Sequence, residues 1–142
     1  MAIAFEAARA IIEKRFFDTY VKGSAPGNFD IFLEGRQFTQ PVGTPWAVLF
    51  IDDSANAVKG FNDDREAMGV VRFKLYSPHG SGTKQVREIA DYIDNIMSRT
   101  AGTSGTSNTG TLYIRSGSIK KLSDNDNGYL SYNLDFLYDY YY

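Results

Sequence analysis

The chain has 142 residues, 43% of them apolar and 23% charged, with a formal net charge of −2. That usage excludes low-complexity disorder, and a chain this long can bury about 70% of its unfolded surface. Cysteine is absent, which excludes disulfide frameworks, thiolate catalysis and cysteine zinc sites, and no basic run interleaved with aromatics points to direct nucleic-acid recognition.

The N-terminal MAIAFEAARA carries Glu6 where an export signal would have a basic region, and no segment reaches 18 apolar residues, so neither export nor a membrane is expected. Phe5, Ala8, Ile12, Phe16 and Tyr20 recur at spacings of three and four, which predicts an amphipathic helix with one buried stripe. It should end near Lys22-Gly23, where a basic residue meets the negative helix end and glycine can take a left-handed cap. The turn cluster SAPGN follows at 24–28.

Phe29, Ile31 and Leu33 alternate with Asp30 and Glu34, predicting a short, half-exposed strand. Trp46 then opens the dense apolar run WAVLFI, which reads as a central, buried strand. From Asp52 the pattern collapses into DDSANAVKGFNDD, and 52–65 is expected to be a long, flexible loop or an extended hairpin tip.

Alternation resumes with Ala67, Gly69, Val71, Phe73 and Leu75 facing the core and Met68, Val70, Arg72, Lys74 and Tyr76 on the other side. After PHGSG, Val86, Ile89, Ala90, Ile93 and Met97 mark a second amphipathic helix. Residues 98–110 hold small and polar side chains apart from Arg99, and predict a mobile loop. Leu112 and Ile114 mark a strand that can continue through Ile119 to Leu122. Asn127-Gly128 is a type I′ hairpin signal, and Leu130, Tyr132, Leu134, Phe136 and Tyr138 form a long final strand. The tyrosines of the YDYYY end should face water or a neighbouring subunit, an aromatic binding platform being the lesser reading.

The fold class implied is α+β: one domain over 1–142, with a single, mainly antiparallel twisted sheet in the order α-β-β-β-α-β-β and both helices on one face.

Little chemistry can be assembled on this frame. LYSPHGSGTK, 75–84, places a glycine turn between strand and helix, the setting in which backbone N–H groups hold phosphate. A nucleotide P-loop needs GxxxxGK followed by Ser or Thr, whereas Gly80, Gly82 and Lys84 give only GxGxK, and Gln85 breaks the dinucleotide pattern. Backbone geometry with capping by Ser81 or Thr83 is favoured. His79 has no identifiable partner to make it a base, and one histidine cannot build a multi-histidine metal site. Asp124, Asp126 and Gly128 miss the calcium-loop spacing by one residue. No catalytic residue, cofactor or metal is therefore assigned, and an enzyme that binds nucleotide or phosphate through 80–84 is the minority reading. The acids at 52–53 and 63–64 suit solvated loop ends or a charged interface. Asp52, Asp53, Asp63, Asp64, Arg65 and Arg99 are the candidate interface residues.

Several segments together resemble the small tail terminator proteins of long-tailed bacteriophages. They are the N-terminal helix ending in TYVKG, the TPWAVLFI strand, the block REAMGVVRFKLYSPHGSGTKQVREIADYIDNIM in which Gly69 breaks a strand, the variable Gly/Ser/Thr loop, and the final YLSYNLDFLYDY. The resemblance implies a non-enzymatic virion protein that forms a hexameric ring on the head-proximal end of the tail tube, stops tube growth and offers a surface for head joining. Its implied partners are further copies of itself, the tail tube protein and a neck or head-completion protein. Its implied location is the virion tail, with assembly in the host cytoplasm. A neck or head-completion connector would share these features.

Overall fold

The computed structural model describes residues 4–39, 41–59, 64–78, 83–97, 102–103, 111–115, 117–126 and 129–141. Helix α1 (Ala4–Thr19) is followed by two 3-10 turns, Lys22–Ser24 and Pro26–Asn28, and then by β1 (Asp30–Leu33), β2 (Trp46–Lys59) and β3 (Asp64–Pro78). Helix α2 (Lys84–Met97) leads to the two-residue β4 (Gly102–Thr103), β5 (Thr111–Ile114), β6 (Ser118–Asp126) and β7 (Tyr129–Tyr141).

The strands make one sheet in the order β1-β2-β3-β7-β5-β4, with β6 also paired to β7. Strand β7 is long enough to serve two partners. Its C-terminal end carries β5, in the register Ile114↔Tyr138, and its N-terminal half carries β6, in the register Ile119↔Leu134. The predicted single strand after α2 is thus two strands on one neighbour, with β4 added beyond β5. All pairings are antiparallel except β1 with β2.

Both helices lie on one face. Ala8, Ile12 and Phe16 of α1 and Val86, Ile89, Ala90, Ile93 and Met97 of α2 are buried against Leu49, Val71, Phe73, Leu75, Leu134 and Phe136. Each such large side chain contributes about 1.5–3 kcal/mol on full burial. The other face carries a smaller aromatic cluster in which Trp46 stacks on Tyr76 with centroids 4.2 Å apart and Tyr129 stands edge-on to both. The 34–45 connection crosses this side. Phe38 stacks on Phe32 at 4.4 Å, the Tyr129 hydroxyl donates to the Pro41 carbonyl at 2.9 Å, and the Gly43 N–H donates to that hydroxyl at 3.0 Å. With helices on one face and aromatics on the other, Trp46, Ala47, Val48 and Leu49 are all buried.

Three expectations need correction. The left-handed residues after α1 are Gly27 (φ 71°) and Asn28 (φ 51°), not Gly23. A side chain at Gly27 would collide with Gln85, because the 3-10 turn packs on the start of α2. Gly69 does not break a strand: it lies inside β3, paired with Asp53 and Tyr138. Tyr138 and Tyr140 do not face water, being 1% and 2% exposed, because the period-two alternation of β7 runs on to the end and keeps even-numbered residues under the helices. Of the two readings of 52–65, the structure takes the extended hairpin over the loop: 52–59 and 64–70 are ladder-paired from Asp52↔Val70 to Lys59↔Asp64. Backbone pairing is carried by the N–H and C=O groups and needs no apolar alternation in the sequence.

Candidate functional site

Successive strand residues point to opposite faces, so Asp52 and Asp53 part company. Asp52 lies on the aromatic face, where its carboxylate is 3.3 Å from Arg72. Arg72 also reaches Asp135 at 2.8 Å, so one guanidinium links carboxylates on β2 and β7 across β3, and those two charges, Asp135 foremost, raise its already high pKa. All three groups are at least 30% solvent-exposed, which limits each pair to about 0–1 kcal/mol. Farther along β7, Arg115 pairs with Asp139 at 3.2 Å.

Asp53 lies on the helix side and accepts a hydrogen bond from the Tyr138 hydroxyl. Gly69 makes this contact possible. A Cβ there would stand 2.5 Å from both the Asp52 carbonyl oxygen and the Tyr138 ring. Beside this crossing the register of β2 shifts between Asp53 and Ala55. Burial, and then the adjacent carboxylate, push the Tyr138 hydroxyl well above its ordinary pKa.

Asp63 and Arg99 lie outside the described residues, and Asp64 and Arg65 are described only as backbone at the start of β3. Of the candidate interface residues, Asp52 and Asp53 are not a carboxylate pair, because their side chains lie on opposite faces of β2. Among the described residues no group of three His, Cys, Asp or Glu could hold a metal ion, and no helix is long and apolar enough to cross a membrane.

In the 75–84 stretch, 79–82 lie outside the described residues, His79 among them. What flanks them is structural. The Arg87 N–H donates to the Thr83 carbonyl at 3.2 Å, as expected for Thr83 at the N-cap of α2. The Ser77 hydroxyl donates to Gln85 Oε1 at 3.1 Å, tying the end of β3 to the first turn of that helix. The Asn127-Gly128 turn also lies outside the described residues, as does all of 98–110 except Gly102 and Thr103.

The sheet margins, which sequence reasoning did not single out by residue, are the other prominent surface. Phe17 is 40% exposed beside β1, and Ile119 and Leu122 are 42% and 43% exposed on β6. Apolar residues left open at strand edges were the available signal.

The chain thus has a two-helix α+β fold on a mostly antiparallel sheet. That fold recurs in a solved chain with a TM-score of 0.73, 17% identity, and coverage of 98% of this chain and 96% of that one. It recurs also in a chain of the virion of a native gene transfer agent particle, with a TM-score of 0.65, 12% identity, and all of both chains covered. No protein-family model matches the sequence, and no curated protein matches it.

Proposed function

We propose that this protein is a structural component of a phage-type virion, and within it the tail terminator: a hexameric ring that caps the tail tube, ends its growth and presents the head-joining surface. The observation that carries the virion reading is the end-to-end fold likeness to a chain of a gene transfer agent virion. The finer assignment draws on the segments that resemble tail terminators, from TPWAVLFI to YLSYNLDFLYDY. The role requires no catalytic group. It requires a heterologous contact that repeats around a ring, together with one ring face that docks on the tube while the other offers no further docking patch. Asp52, Asp53, Asp63, Asp64, Arg65 and Arg99 remain the proposed contacts with tube, neighbour or neck. Negative-stain microscopy of the purified protein, alone at high concentration and mixed with tail tubes, tests this. Sixfold rings seated on tube ends are expected, and a monodisperse monomer that never binds tubes contradicts the proposal.

A further inference from the structure

The sheet has two open margins on the same rungs. Following the register across it, Leu33 aligns with Leu49, Phe73, Leu134 and Ile119, and Phe32 with Val48, Lys74, Asn133 and Lys120. Ile31 aligns with Ala47, Leu75, Tyr132 and Lys121 in the same way. Along these rungs β1 and β6 are the end strands, and among the described residues neither pairs on its outer side. Their regular stretches match in length. All four residues of β1 are in unbroken register with β2, and the unbroken part of β6 is Ser118–Lys121, before the register shifts beyond Lys121.

Their directions are also complementary. β1 runs with β2, against β3, with β7 and against β6. A second copy placed beside the first, with its strands running the same way and turned only about an axis along them, would therefore bring its β1 antiparallel to β6, continuing the alternation of the sheet.

The side chains agree with the backbone. Ile119 lies opposite buried Leu134 on the helix side, yet it is 42% exposed, so the helix layer stops short of that margin. At the other margin Phe17 is 40% exposed beside half-buried Ile31 and Leu33. Charge is complementary too: Asp30, which also pairs with Lys22, and Glu34 lie two residues to either side of Phe32, and Lys120 stands on the rung of Phe32.

From these matches we infer that β1 of one copy pairs edge to edge with β6 of the next, making one sheet continuous through the assembly. On the rung alignment Leu33 meets Ile119 and Phe32 meets Lys120, with Glu34 beside Ser118. The contact is heterologous, and because both edges lie on the same rungs a rotation about an axis along the strands can close it into a ring without stagger. This inference rests on the ring reading above and specifies which surfaces build the ring.

The chain has no native cysteine, so engineered pairs report cleanly. Within one chain positions 33 and 119 are four strands apart, about 19 Å at a strand spacing of about 4.8 Å, beyond the roughly 7 Å that a disulfide spans. Any bond between them joins two copies. The variant Leu33→Cys with Ile119→Cys, oxidised mildly at the concentration that gives rings, is expected to run as a ladder of covalent oligomers that reductant collapses. Glu34→Cys with Ser118→Cys, at two exposed positions, serves if the first variant does not fold. Folded variants that form rings by microscopy yet cross-link no more than the single-cysteine controls overturn the edge pairing and leave the ring reading intact. A ladder without sixfold rings upholds the pairing and counts against the ring. A monomer that neither cross-links nor binds tubes overturns both.

Discussion

The Tyr138 hydroxyl donates to the Asp53 carboxylate over the bare backbone of Gly69, joining the final strand to the base of the long hairpin. Loss of one such hydrogen bond to an exposed partner costs about 1–2 kcal/mol. Tyr138→Phe should lower stability by that amount, measured as the midpoint of urea unfolding.

The same contact makes stability depend on alkaline pH. Tyr138 and Tyr20 both have raised pKa values, chiefly through burial. A group whose folded pKa lies above its unfolded value stabilises the fold fully below the unfolded pKa, about 10 for tyrosine, and loses that contribution as pH climbs through the folded pKa. Urea midpoints should therefore fall between about pH 9 and 12, and Tyr138→Phe should shallow the decline. A wild-type midpoint that stays flat over that window contradicts this account.

Gly69→Ala should be among the most damaging small substitutions. Its Cβ would meet a backbone oxygen, which cannot swing aside as a side chain can, as well as the Tyr138 ring. A cost of about 1–3 kcal/mol or more is expected, and calorimetric melting reads it directly. Ala67, which faces the core two residues away on the same strand, shows that the backbone there accepts a Cβ; it is the lack of space at position 69 that forbids one.

Arg72→Gln should change stability by less than about 1 kcal/mol, because the Asp52–Arg72–Asp135 triad is partly solvated. Its effect should shrink further in high salt. A large loss in the isolated chain would show that the triad holds the sheet together.

Calorimetry with ATP, GTP and NAD should show no heat of binding for wild type, and Lys84→Ala should leave the trace unchanged. Heat that vanishes in that variant would revive the phosphate-loop reading of 80–84.

Much of the fold was legible because the core strands and α2 obey simple periods. The alternation from Ala67 to Leu75 gives the correct inner face, and the stripe from Val86 to Met97 is buried as read. What escaped depended on distant partners. The need for glycine at position 69 comes from Tyr138 and the Asp52 carbonyl, and Asp53 meets a hydroxyl 85 residues away in sequence. Nothing local foretells such a crossing. The burial of Tyr140, by contrast, could have been read by carrying the β7 alternation two residues further. The parallel pairing of β1 with β2 arises from the 34–45 connection crossing the aromatic face, where Phe38 and Tyr129 anchor it. The candidate interface residues are the charged residues of two expected loops, and neither charge nor loop position reveals that neighbours such as Asp52 and Asp53 serve opposite faces.

The central claim is termination of a tail tube, and electron microscopy of particles assembled without this protein tests it most directly. Tails that grow past their normal length and lack heads are the predicted result. Tails of normal length that merely lack heads would contradict termination and indicate a neck connector instead.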